Sequence, residues 1–141
     1  MSEVSYRALG DAVERLRESL ALLDAHPVGD DLHVSMRNSV LLSFMFTFGL
    51  IRPIIERFLV SLGEEPLEVE GMSFARLIRS ANERGVLQKD VAAWSDLRDA
   101  RNRIAHVYSE SGAQGIIARV PQFLEEVLYL HAQVVAKSEE L

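Results

Sequence analysis

Residues 96–108 of the chain read Asp-Leu-Arg-Asp-Ala-Arg-Asn-Arg-Ile-Ala-His-Val-Tyr, and this stretch is the most informative part of the sequence. At roughly 100° per residue in a helix, its apolar side chains share one face, which must pack against a core. That face consists of Trp94, Leu97, Ala100, Ile104 and Val107. His106 falls roughly 180° from Leu97 on the same helix, so its ring points away from that core. The geometry predicts a histidine that is free to meet solvent, a substrate or a second subunit.

Polar residues surround His106 at helical spacings. Arg101 and Tyr108 are seven residues apart, so a regular helix places both at one edge of the apolar face. Asp99 and Asn102 precede His106 by seven and four residues, where they could fix the tautomer of its ring. Arg101 and His106 lie roughly 140° apart on a regular helix. Their cooperation requires either a looser helix near His106 or a residue from a second subunit. Geometry alone also leaves open that these are ordinary solvated side chains.

Apolar residues recur at spacings of three and four along most of the chain, which predicts an all-α protein without a sheet. The predicted helices span about 9–23, 31–62, 73–84, 90–108 and 116–134. Ser73 and Asp90 are the predicted N-caps of the third and fourth helices. Pro66 is expected in a loop and Ser109–Gly112 in a turn. Pro121 is expected to delay or kink the last helix.

The second predicted helix is apolar on more than one face between Val40 and Leu59. A helix that is apolar nearly all round must be buried nearly all round. Either its neighbours in the chain cover it, or one side forms a homodimer interface. Gly49 and Pro53 are expected to bend it. The longest uncharged run, Val40–Ile51, is shorter than the ~20 residues of a membrane span, so no membrane association is expected.

The net charge of −6 argues against a general nucleic-acid binder, because such binding depends on Lys and Arg contacts to phosphates. Arginines nevertheless cluster locally, so action on RNA at a confined site remains open. The two clusters are Arg98, Arg101 and Arg103, and Arg76, Arg79 and Arg84.

The chain contains no cysteine, which excludes disulfides and thiolate metal sites. No histidine pair has the spacing of a zinc site, and no glycine-rich phosphate loop is present. We therefore expect neither a metal nor a cofactor. The N-terminus shows no secretion-signal pattern, and together with the lack of cysteines this leads us to expect a cytoplasmic protein.

The stretch Arg101–Tyr108 resembles the Arg-Asn-x-x-x-His-x-Tyr motif of HEPN (higher eukaryotes and prokaryotes nucleotide-binding) domains. Further segments are similar to the family described as nucleotidyltransferase substrate-binding proteins, and the resemblance covers roughly Leu42–Leu130. These segments are Phe46-Thr47-Phe48, Ser73–Arg79, Gly85-Val86-Leu87, Trp94 and Val120-Pro121. The resemblance implies a single HEPN-like domain over residues 1–141, an antiparallel bundle of about five helices.

The same resemblance implies a metal-independent endoribonuclease, the toxin of a HEPN/MNT toxin–antitoxin pair, that cleaves RNA in the cleft of a homodimer. Arg101 would stabilise the charged transition state, and His106 would act as general acid or base. Asn102 and Asp99 would support them. Tyr108 matches a tyrosine that a partner MNT-type nucleotidyltransferase antitoxin modifies with AMP. The added negative charge would oppose docking of an RNA phosphate.

Two other functions compete with the ribonuclease. One is a non-catalytic HEPN subunit that presents a substrate to a separate nucleotidyltransferase, and the other is a purely structural helical dimer. The presence of both Arg101 and His106 favours the ribonuclease. The second helix departs from the family pattern, since Gly49 replaces a glutamate and Arg52-Pro53 replaces an aromatic–basic pair. A role of that glutamate in catalysis or partner docking would be lost here.

Overall fold

Seven α-helices and one short 3₁₀ turn make up the computed structural model, which describes residues 5–139 of the chain. The helices are α1 (Tyr6–Asp24), α2 (His33–Ser61), α3 (Pro66–Glu70), α4 (Phe74–Glu83), α5 (Val91–Arg103), α6 (Glu110–Ile117) and α7 (Val120–Glu139). The 3₁₀ turn, Ile104–His106, directly follows α5. The described residues contain no strand, and the predicted all-α fold class is confirmed.

Side-chain caps explain where several helices begin. Ser73 Oγ accepts a hydrogen bond from the backbone N–H of Arg76, and Asp90 Oδ1 accepts one from Ala93. Each bond satisfies a donor that the first helical turn leaves without a backbone partner. Both N-caps predicted from sequence are confirmed.

The sequence pattern was wrong at three connections. The predicted loop around Pro66 is the short helix α3, whose first residue tolerates proline because no helical N–H is needed there. The predicted turn at Ser109–Gly112 is the start of α6, where Ser109 Oγ accepts from the Gly112 N–H at 3.1 Å. The fourth predicted helix ends at Arg103 rather than near Tyr108. The last helix begins only at Val120, so the delayed start expected from Pro121 is confirmed.

Helix α2 runs through the middle of the bundle and packs against α1 and α7. Phe44 of α2 lies edge-to-face on Phe123 of α7, with ring centroids 4.8 Å apart. Trp94 of α5 meets the same Phe123 ring at 6.0 Å. Aromatic pairs of this kind add about 0.5–1.5 kcal/mol each beyond the burial of their area. These rings join α2, α5 and α7 into one core.

A buried carboxylate fixes the beginning of α5 against α7. Glu126 is fully buried, and its oxygens accept hydrogen bonds from the Gln88 N–H, the Lys89 N–H and Trp94 Nε1. Three donors compensate the desolvation of the carboxylate, which would otherwise be strongly unfavourable. The helix that carries Arg101 therefore starts from a rigid base.

One face of α2 remains open to solvent. Leu42 is 63% exposed and Phe46 is 57% exposed, and Gly49 lies on the same side. The helix has 29 residues and is long and apolar enough to cross a membrane, a test that the core helix of a bundle also passes. Its other face fills the core, so residues 5–139 leave the face with Leu42 and Phe46 uncovered. Pro53 lies inside the helix, which continues through it to Ser61.

Candidate functional site

The backbone changes conformation within the motif. Helix α5 ends at Arg103, the 3₁₀ turn ends at His106, and Val107 is extended with φ −85° and ψ 112°. Tyr108 therefore lies outside the helix. The prediction that Arg101 and Tyr108 share a helical face is wrong, because the helix ends between them. The regular α-helix does not reach His106, which lies at the end of a more tightly wound 3₁₀ turn.

The polar side chains of the motif face solvent. His106, Asp99 and Asn102 are exposed, and Tyr108 is 89% exposed. Within residues 5–139, none of the four makes a hydrogen bond or an ion pair, so neither Asp99 nor Asn102 fixes the ring of His106 in this chain. Ile104 and Val107 are half-buried against the core and hold the segment from beneath.

Arg101 occupies a different environment from His106. It is half-buried and lines an open cleft of about 390 Å³ between α1, α2 and α5, together with Arg15, Phe46 and Thr47. His106 is not among the residues that line this cleft. Neither arginine is ion-paired within the described part of the chain. The cleft thus offers two guanidinium groups beside an exposed aromatic ring, a combination that suits an anionic or phosphorylated ligand.

Sequence reasoning did not single out Arg15 as a functional candidate. It is one of several charged residues on the polar side of α1, and no local pattern distinguishes it. Thr47 and Phe46 were noticed only through the family resemblance. Thr47 is buried, and its Oγ1 donates to the Ser43 carbonyl at 2.8 Å, which satisfies the hydroxyl within its own helix.

A second polar cluster lies next to the motif in the chain. Glu110, two residues after Tyr108, receives hydrogen bonds from His33 Nε2 at 2.9 Å and Arg37 Nη1 at 3.0 Å. Gln114 Nε2 donates to the same carboxylate at 2.6 Å. His33 is 4% exposed, and its Nδ1 donates to the His26 carbonyl at 2.8 Å. The sequence pattern did not identify His33 as part of a polar cluster.

Both members of this pair have displaced pKa values. Hydrogen bonds from Gln114 and His33 lower the pKa of Glu110 to about 2. The hydrogen bond to Glu110, and then the one to the His26 carbonyl, raise the pKa of His33 above its ordinary value. Because a carbonyl only accepts, Nδ1 carries a proton, and an ionised carboxylate at Nε2 requires a second one. The ring is therefore an imidazolium when the cluster is intact.

Arg52 and Gly49 of α2 depart from the family pattern. Arg52 has a local structural role, whereas Gly49 has none. Arg52 Nη2 donates to the Met72 carbonyl at 2.5 Å and to the Glu70 carbonyl at 3.3 Å, where α3 ends. Its Nε donates to Glu56 at 3.0 Å. Among residues 5–139, a Cβ at Gly49 would meet no atom of a packed neighbour within 4 Å, so packing does not require glycine there.

Two arginines of the clusters predicted from sequence make specific contacts within the chain. Arg98 stacks on Phe74 with its guanidinium carbon 4.4 Å from the ring centre, and Arg84 pairs with Glu64 at 2.9 Å. Among residues 5–139, no group of three or more His, Cys, Asp or Glu side chains is arranged to hold a metal ion.

The chain is similar to a described protein family and to solved structures. A family model described as nucleotidyltransferase substrate binding protein like matches residues 4–136. The structure of HI0074 from Haemophilus influenzae, reported as the fold of a substrate binding domain of a nucleotidyltransferase, superposes with a TM-score of 0.79. The two sequences are 21% identical, and the match covers 92% of this chain and 98% of that one, so the likeness shows a shared fold. No curated protein matches the chain.

Proposed function

Since the chain belongs to the nucleotidyltransferase substrate binding protein-like family, we propose that it is the partner subunit of a separate nucleotidyltransferase. The observation that carries this proposal is the exposure of the segment after α5. Its polar side chains, His106 and Tyr108, have no partner within residues 5–139, and Tyr108 is 89% exposed. Large side chains held outward on a short, partly anchored segment are suited to recognition by another protein.

The exposed phenol also offers a target for the partner's chemistry. In this proposal, the Tyr108 oxygen attacks the α-phosphorus of ATP bound with Mg²⁺ on the nucleotidyltransferase. The phenolic proton is lost, the bond to the bridging oxygen breaks, and pyrophosphate leaves. The product carries AMP on Tyr108. The extended backbone at Val107 supports this step, because a residue outside a helix can enter another enzyme's active site more easily.

Calorimetric titration of the chain with an MNT-type nucleotidyltransferase encoded in the same genome tests the partner role. Tyr108→Ala should weaken binding about tenfold, since a central aromatic contact typically contributes more than 1 kcal/mol. Leu67→Ala is the matched control, because Leu67 is 76% exposed on the remote helix α3. Leu67→Ala should bind like the wild type. Equal binding by wild type and Tyr108→Ala would remove Tyr108 from the interface, and no binding by any form would reject the partner role.

The second candidate is the metal-independent endoribonuclease toxin implied by the motif. Two observations favour it: Arg101 lines the cleft without an ion pair, and His106 is exposed and unpaired within residues 5–139. Because His106 does not line the same cleft, joint action would draw on two protomers. Leu42 and Phe46, which line the cleft beside Arg101, are exposed and apolar. A second copy packed on this face of α2 would therefore lie next to Arg101.

A further inference from the structure

The exposed segment Ile104–Ser109 is tied at its far end to the beginning of α2. We propose that His33, Arg37 and Glu110 form a clamp that positions this segment, so that the N-terminus of α2 controls the orientation of His106 and Tyr108. The importance of that orientation rests on the proposed function. The clamp itself is a property of the isolated chain and is tested there.

Beyond the packing of Ile104 and Val107 against the core and the cap that Ser109 forms on α6, the segment has few attachments. The segment begins directly after α5, which is anchored in the core by the fully buried Ala100. Between Ile104 and Ser109, one weak backbone bond joins the Val107 N–H to the Ile104 carbonyl at 3.3 Å. Glu110 is the first residue after the segment, so whatever holds this carboxylate also fixes the segment's exit.

The donors to Glu110 exceed what α6 alone would require. An acidic residue in the first turn of a helix is favoured by the helix dipole, and Gln114 is a neighbour one turn later. These two facts explain Glu110 as an ordinary helix-start residue. They do not explain His33 and Arg37, which come from 77 and 73 residues away and bond to separate carboxylate oxygens. Charge-assisted bonds to two different oxygens fix both the position and the rotation of the carboxylate.

The hydrogen bond from His33 to Glu110 depends on protonation of the His33 ring. The Nδ1 proton of His33 is used by the His26 carbonyl, so Nε2 can donate to Glu110 only while the ring is charged. The charged groups that face His33 are Glu110 of α6, Arg37 of α2 and Asp30 of the preceding turn. The two carboxylates favour the imidazolium and Arg37 opposes it. When Nε2 loses its proton, this atom and the carboxylate oxygen become two acceptors in contact. Of the two long-range hydrogen bonds to Glu110, only the one from Arg37 then remains.

Backbone hydrogen exchange of the isolated chain tests the clamp. The reporter amides are Val107, Gly112 and Ala113, whose hydrogen bonds lie within or directly after the segment. Glu110→Gln should lower their protection factors about tenfold at pH 6, as expected for the loss of a charge-assisted bond. The matched control is Asp96→Asn, which removes the charge of the carboxylate in the 2.8 Å pair between Asp96 of α5 and Arg119, just beyond the C-terminal end of α6. This control should leave the three reporters nearly unchanged.

The second variant, His33→Gln, replaces the imidazolium with an uncharged polar side chain. It leaves the hydrogen bond from Arg37 to Glu110 in place. In the wild type, protection of the reporters should fall as the pH rises through the titration of His33, after correction for the intrinsic exchange rate. In His33→Gln this pH dependence should vanish. Core amides of α2 and α5 should keep their protection in both variants, which separates a positioning effect from general destabilisation.

The clamp is wrong if Glu110→Gln folds and its reporters exchange like those of Asp96→Asn. It is also wrong if His33→Gln keeps the wild-type pH dependence, or if reporters and core amides lose protection equally. None of these measurements requires a nucleotidyltransferase or RNA, so their failure leaves the partner proposal standing. Conversely, suppose that clamp variants change hydrogen exchange and still bind the nucleotidyltransferase with wild-type affinity. That result would support the clamp and reject the segment as the docking surface.

Discussion

The Nε2 atom of His33 lies 2.9 Å from Oε2 of Glu110, although 77 residues separate the two in the chain. This contact joins the first turn of α2 to the first turn of α6, two residues after Tyr108. It therefore connects the central helix of the core with the most exposed segment of the motif.

This pair predicts how stability depends on pH. The folded-state pKa of His33 is raised above 6.5, so its contribution is complete below pH 6.5 and is lost as the pH rises through the raised value. The folded-state pKa of Glu110 is lowered from 4.5 to about 2, so its contribution is present above pH 4.5 and is lost as the pH falls toward 2. Both contributions are complete between about pH 4.5 and 6.5.

Urea unfolding at pH 5.5 and pH 8.5 measures the alkaline side of this dependence. The wild type should have the higher free energy of unfolding at pH 5.5, and His33→Gln should show a smaller difference between the two conditions. An equal difference in wild type and variant would show that another group causes the pH dependence.

The open face of α2 predicts a homodimer. Phe46 and Leu42 are more than half exposed, and burying them against a second copy would release water from apolar surface. Light scattering should give twice the monomer mass at micromolar concentration. Phe46→Arg should give a monomer, because its charge would be desolvated in the interface beside the guanidinium groups of Arg15 and Arg101. Leu67→Arg on α3 should remain dimeric, and a monomeric wild type would contradict the prediction.

Adenylylation of Tyr108 is tested by comparing the intact mass of the wild type with that of two tyrosine variants. Incubation with the partner nucleotidyltransferase, ATP and Mg²⁺ should increase the intact mass of the wild type by one adenylyl group. Tyr108→Phe should gain nothing. Tyr129→Phe should be modified like the wild type, since Tyr129 is half-buried and its hydroxyl donates to the Gly85 carbonyl at 3.1 Å. An equal gain in Tyr108→Phe would place the modification on another residue.

The ribonuclease candidate predicts RNA cleavage in the presence of EDTA. His106→Ala should reduce the rate by roughly 10²–10⁴, because it removes a proton-transfer group. Arg101→Ala should reduce it on the order of 10²–10³, and Arg101→Lys should restore little because an ammonium lacks the planar fork of a guanidinium. Cleavage should leave 2′,3′-cyclic phosphate ends if the adjacent 2′-hydroxyl is the nucleophile.

Arg79→Ala is the control for charge alone, because Arg79 is an exposed arginine on α4. It should cleave like the wild type. All variants should keep their helical circular dichroism and melting temperature, since none of these side chains fills the core. Folded Arg101→Ala and His106→Ala proteins that cleave like the wild type would end the ribonuclease candidate and leave the partner role.

The sequence alone determined the features that depend on residues close together in the chain. The helical class follows from apolar residues spaced by three and four, and the starts of α4 and α5 follow from Ser73 and Asp90, whose oxygens bond amides three residues later. The delayed start of α7 follows from Pro121. Each of these needs only the local geometry of a helix, so a pattern of a few residues contains it.

Only the tertiary structure decided where the candidate site's parts lie. The end of α5 at Arg103, the cleft that Arg101 shares with Arg15 and Phe46, and the contact of His33 with Glu110 all depend on packing between helices. Residues that meet across a bundle have no fixed spacing in sequence, and many arginines on polar helix faces look alike before the helices pack. Which of them face one another is set by how apolar faces are buried, and that burial is a property of the whole chain.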